Sequence, residues 1–171
     1  MKYQDDPTFC AVIPHILNSE GKYTNNPHDS GGPTMFGVAW NYNVEYLTGI
    51  GLTHDTVRNL TLDQAKQIYF DKYYRASSGT GITDTDLAYI HLDAAINCGT
   101  GQAMTFLSRL SHNPKNYDFS GGKNRTLAMS LFLEYTAQRL KFYTHCKERD
   151  HFLAGWINRM SDVITNSLNM D

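Results

Sequence analysis

Glu20 stands where an apolar helical pattern runs out, immediately before Gly21, and Asp29 and Thr34 follow in a stretch rich in turn formers, residues 25–37. A carboxyl at a helix end, beside apolar side chains, is partly desolvated, which disfavours the anion and raises its pKa. A carboxyl among the free amides of a turn keeps its charge. Two carboxyls driven apart in this way suit glycoside cleavage: one protonates the leaving oxygen, and the other activates water or faces the cationic sugar. A separation of about 6.5–9.5 Å goes with inversion and about 5–5.5 Å with retention, and spacing along the chain does not choose between them. The Thr34 hydroxyl has two readings, one holding the attacking water and one bonded to its own turn. Tyr23 offers a pyranose an apolar face and a hydroxyl rim; the plainer alternative is a hydrophobic anchor for the loop.

The elements that must position these residues are mostly helical. Asp6 before Pro7 starts the first helix, because the Asp oxygen caps free amides and Pro lacks the amide that would be orphaned. Phe9, Val12, Ile13, Ile16 and Leu17 recur at helical spacing. Pro14 removes a backbone donor and crowds the preceding turn, so the pattern predicts a kinked or late-starting helix ending near Gly21. Gly31, Gly32 and Pro33 make the following stretch a loop or short irregular hairpin. Thr61 and Gln64 form a capping box ahead of Ala65, Ile68, Tyr69 and Tyr73. The Ser/Gly/Thr stretch that follows is the best internal boundary.

Beyond it, Leu87, Ile90, Ala94 and Cys98 define a helix that stops at Gly99, and Met104, Leu107 and Leu110 suggest a short one after Gly101. Residues 124–147 form a long helix with Leu127, Leu131, Tyr135 and Leu140 inward. Phe152, Leu153, Trp156, Ile157, Met160 and Ile164 mark the last. Asp93 and Asn97 share one face of their helix. They are candidates for binding N-acetyl groups or flooring a groove, with an Asn cap as the structural alternative.

Residues 19–38, SEGKYTNNPHDSGGPTMFGV, carry more than spacing. The string resembles the opening motif of the glycoside hydrolase 108 family of muramidases, Glu-Gly-Gly-Tyr followed by Asp-x-Gly-Gly-x-Thr and then a Gly with Ile or Val. Glu20, Gly21, Tyr23, Asp29, Gly31, Gly32, Thr34, Gly37 and Val38 match it, and Lys22 departs from the second Gly. Residues 88–110 resemble the family's Asp and Asn helix ending in Gly-x-Gly, and residues 151–164 its closing Phe-Leu-x-Gly-Trp-x-Asn-Arg helix. The resemblance implies Glu20 as general acid, beside which Asp29 and Thr34 are the candidate catalytic partners and Tyr23, Asp93 and Asn97 the candidate substrate ligands. It also implies a mainly α, lysozyme-like, two-lobed globule with a small irregular β and loop region at the active site. A catalytic half, 1–84, and a helical peptidoglycan-binding half, 85–171, would pack as one body. Trp156 and Arg159 fall in the closing block but also fit an amphipathic core pattern.

Composition narrows the alternatives. Hydrophobic residues make up 41% and charged residues 19% of 171, the balance of one folded globule. Fifteen Lys and Arg against 17 Asp and Glu, with no dense basic run, argue against nucleic-acid binding, which needs concentrated positive charge. Cys10, Cys98 and Cys146 are odd in number and scattered, which reads as reduced, mostly buried thiols. The His residues show neither HExxH nor a short two-His spacing, so no metal or other cofactor is implied. The start of the chain carries acids where a secretory signal carries bases, and no run approaches the about 18 apolar residues of a membrane span. The expectation is a monomer made in the cytoplasm without membrane insertion, whose partner is bacterial peptidoglycan. A holin-type pore is the export route for a phage endolysin; the family's phage-derived bacterial muramidases instead help release proteins. A lytic transglycosylase or a non-catalytic wall-binding accessory protein is the alternative function.

Overall fold

A computed structural model describes residues 1–18, 22–26, 30–119 and 122–167. Helix α1 spans Pro7–Asn18, with the Asp6 carboxylate accepting a hydrogen bond from the Phe9 amide at 2.8 Å. It starts on time despite Pro14, which lies inside it. The cost is one missing amide donor toward the Cys10 carbonyl, set against complete burial of Phe9, Val12, Ile13 and Ile16. The expected helix end at Gly21 lies outside the described residues.

Two strands of two residues each, β1 Thr34–Met35 and β2 Val38–Ala39, pair antiparallel, and Thr24 adds a single bridge to Thr34 on the other edge of β1. The connecting residues Phe36 and Gly37 both have positive φ, 51° and 75°. That geometry is what a two-residue hairpin turn requires, and it is unfavourable for a Phe. The Tyr69 hydroxyl donates to the Phe36 carbonyl at 3.1 Å and holds the turn there. A short helix α2, Val44–Gly49, follows, and then a 3-10 turn, His54–Asn59, that packs on β1.

Helix α3, Leu62–Tyr69, opens with the expected capping box, Thr61 N–H to Gln64 Oε1 at 2.9 Å and Gln64 N–H to Thr61 Oγ1 at 3.2 Å. It widens into a π-helical turn, Phe70–Arg75, that turns Phe70 and Tyr74 fully inward. The Ser/Gly/Thr stretch after it is no slack linker. Ser77 and Ile82 are buried, and a Cβ on Gly79 would sit 2.5 Å from the Tyr74 ring, so only Gly fits.

Helix α4, Thr85–Asn97, is capped by Asp84 and buried on nearly every side. It packs against α1, α5 (Thr100–Ser108), α6 (Arg125–Tyr143) and α7 (Arg149–Ser167), so one core crosses the boundary at residues 84 and 85. Gly99, at φ 87°, ends α4 where the apolar pattern stops. The architecture is mainly α with one small hairpin. Three facings differ from expectation. In α5 the buried residues are Ala103 and Phe106, with Met104 exposed; in α7, Phe152 and Ile157 are exposed while Met160 and Val163 are buried. In α6 the inward face includes Thr136 and Arg139, which a hydrophobic pattern cannot register.

Candidate active site

The matched motif begins just past the end of α1 and closes on the hairpin. Glu20 and Asp29, the expected acid and its carboxylate partner, lie outside the described residues; hydrogen bonds hold the described chain at Thr24 and Ser30. On the near side, Thr24 exchanges both backbone hydrogen bonds with Thr34, at 2.9 and 2.8 Å. On the far side, the Ser30 carbonyl accepts from the Asn41 amide group at 2.8 Å, and the Ser30 hydroxyl meets the Tyr42 hydroxyl at 2.9 Å. The Lys72 ammonium in turn donates to the Tyr42 carbonyl and to Asn43 Oδ1, both at 2.7 Å, so the π-helical turn anchors this side of the loop. Partial burial pushes the Lys72 pKa down. Gly32 takes a φ of 70°, and a Cβ there would come within 3.2 Å of Asn41, which accounts for the glycine.

Thr34 is half-buried and sits at the crossing of these bonds. Its hydroxyl donates to the Gly32 carbonyl at 3.0 Å, so the proton is engaged within the turn, and only the oxygen lone pairs are free to hold a water. Tyr23 is 38% exposed, with the Arg58 guanidinium 5.6 Å from its ring centroid. It is neither a buried anchor nor a bare platform. Sequence reasoning missed Arg58, because nothing in the order of residues 53–60 signals that this turn folds against β1.

Asp93 is placed where a sugar ligand cannot be. It is 2% exposed, and its carboxylate is engaged by two arginines, Arg139 through one oxygen and Arg159 through the other at 2.7 Å. Arg139 is itself fully buried, and its Nε donates to the Tyr143 hydroxyl at 2.7 Å. A buried carboxylate needs such compensation. The expectation that Asp93 binds substrate therefore gives way to a structural role, tying α4 to α6 and α7. Asn97 donates to the Asp93 carbonyl at 2.7 Å and remains exposed. With Cys98, Tyr143, Trp156 and Arg159 it lines a pocket of about 420 Å³ at the C-terminal end of α4. The Trp156 ring lies between Tyr143 and Phe152, at centroid distances of 5.4 and 6.2 Å.

Other candidate chemistry is already committed. His91 is fully buried; Nε2 donates to the Ser77 carbonyl at 3.0 Å, and the Tyr135 hydroxyl donates to Nδ1 at 3.0 Å, so neither nitrogen is left to activate a thiol. Desolvation lowers its pKa to about 4. All three cysteines are free and partly buried, and desolvation raises each thiol pKa, the opposite of nucleophile activation. Among the described residues no group of three metal-ligating side chains converges, and no helix is long and apolar enough to cross a membrane.

Comparison with known proteins decides the family. The glycosyl hydrolase 108 model matches residues 13–99, from the middle of α1 through the hairpin and α3 to the end of α4. The chain belongs to the glycosyl hydrolase 108 family. In this glycosyl hydrolase the matched region contains the whole anchored loop. A cavity of about 660 Å³ between α5 and α6 lies beyond it. A comparison with curated proteins found no match. Among solved structures, that of Brucella abortus SagA superposes with a TM-score of 0.70 at 24% identity, covering 96% of this chain and 95% of that chain, which shows a shared fold.

Proposed function

We propose that the protein is an N-acetylmuramidase that hydrolyses the glycan strand of bacterial peptidoglycan, with Glu20 as general acid. Membership in a glycosyl hydrolase family, with the match running through the Glu20 to Thr34 motif, is the observation that carries this reading. Glu20 would protonate the glycosidic oxygen as the bond to the anomeric carbon breaks. Asp29 would stabilise the oxocarbenium-like centre or deprotonate the attacking water. Thr34, whose hydroxyl proton already rests on Gly32, would hold that water through its lone pairs. Tyr23 would border the sugar site.

The helical half, with the aromatic-lined pocket at the end of α4, is the proposed wall-binding part, and Asn97 is its remaining substrate ligand. The proposed setting is the bacterial wall, reached from the cytoplasm by a monomer. The enzyme acts as a phage endolysin through a holin-type pore or as a phage-derived muramidase assisting protein release. Mass spectrometry of digested peptidoglycan tests the chemistry. Hydrolysis adds water at each cut and leaves a reducing muramic acid end, whereas a lytic transglycosylase gives anhydro ends, and a wall-binding protein releases nothing.

A further inference from the structure

We propose that Arg58, held over the Tyr23 ring, binds a carboxylate on the peptide attached to the muramic acid residue, and so selects anionic, peptide-bearing strands over neutral glycan. The inference rests on the muramidase reading above and names the part of the substrate that this edge of the site reads. Two elements far apart in sequence create the pair. Tyr23 precedes Thr24, whose backbone is bonded to Thr34, and Arg58 lies on the turn His54–Asn59, which packs on the same strand β1. The two side chains therefore meet at the hairpin that closes the Glu20 to Thr34 motif.

Among the described residues the guanidinium is oriented but not neutralised. Its Nε donates to the Asp55 carbonyl at 3.3 Å, and its carbon lies 5.6 Å from the Tyr23 centroid. Among the described residues no carboxylate stands within ion-pair distance of it, whereas Arg75, Arg139, Arg149 and Arg159 each have one. An arginine fixed by an aromatic face and one backbone carbonyl keeps both terminal nitrogens available as a planar fork, the geometry that pairs with a carboxylate. The sugar rings of the strand carry hydroxyl and acetamido groups and need no such cation. The attached peptide supplies the carboxylates. Tyr23 then acts chiefly by holding the guanidinium, with its exposed remainder toward the glycan.

The test uses soluble peptide-bearing glycan strands and the same strands with their peptide carboxylates converted to amides, which removes charge but not bulk. Wild type should show a kcat/KM about tenfold higher on the carboxylate form, carried mainly by KM, as expected for one charge-assisted hydrogen-bond pair. In Arg58→Ala that ratio should fall to about one, and Arg58→Lys, with charge but no fork, should lie between. Arg58→Gln keeps part of the stem and a polar end without the charge, and serves if the alanine variant does not fold. If wild type cuts both strands without preference, or Arg58→Ala keeps the tenfold ratio, the Arg58 inference is overturned and the muramidase reading stands. If wild type cuts neither strand, the muramidase reading fails and this inference falls with it.

Discussion

The two regions that bear charge in this protein use it in opposite ways. Around α4, the Asp93 carboxylate and the Arg139 guanidinium are buried and paired with each other across helices, and the neutral His91 imidazole is buried between Ser77 and Tyr135. Along the hairpin, backbone bonds fix the chain, Tyr23 keeps exposed surface, and among the described residues no carboxylate pairs with Arg58. A charge paired inside a core holds elements together and lies out of a ligand's reach. A charge that is oriented but unmatched at a rigid edge is available for recognition. The likeness of charged side chains in sequence hides this difference, and only their surroundings reveal it.

The comparison predicts separable failures. The largest should follow Asp93→Ala, which strands Arg139 in the core; loss of one partner of a buried ion pair costs about 3–5 kcal/mol, and urea titration should show a much lower midpoint. Were Asp93 a sugar ligand, the principal loss would instead appear in KM. Next in size is the response to acid. The folded His91 pKa of about 4 lies below the about 6.5 of an unfolded chain, so the folded state favours the neutral ring. Its contribution is complete above about pH 6.5 and is lost as pH falls toward 4, a decline on the order of 3 kcal/mol. Urea midpoints from pH 7 to 4 should fall in wild type and fall less in His91→Gln, and equal declines would sink the assignment. The smallest stability change belongs to the hairpin. Thr34→Val removes one turn hydrogen bond, worth about 1 kcal/mol. If its lone pairs hold the attacking water, kcat should drop by about tenfold, which corresponds to about 1.4 kcal/mol in the transition state. An unchanged kcat would leave Thr34 with its turn bond alone.

Much of the helical frame was readable because helix signals are local. The Asp6 cap, the Thr61 and Gln64 box and the glycine after α4 each involve neighbours in sequence, and each appears where expected. The facing of α5 and α7 was less legible, since Met104, Phe152 and Ile157 carry the apolar character of core residues while lying outside. Buried charge was not legible at all. Arg139 reads as a solvated helix residue until Asp93, on another helix, supplies its partner. The candidate site divides the same way: its motif is contiguous and recognisable, whereas Arg58 enters through tertiary packing, and the supposed ligand Asp93 leaves through it. Glu20 and Asp29 lie outside the described residues, so their roles rest on the motif and the family match.

The most direct test of the central proposal compares peptidoglycan digests by wild type and Glu20→Gln in a mass spectrometer. Wild type should release fragments with reducing muramic acid ends, one water heavier per cut than anhydro products, and the variant, folded but lacking the acid, should release almost none. Equal digestion by Glu20→Gln would place the catalytic acid elsewhere and contradict the proposed mechanism.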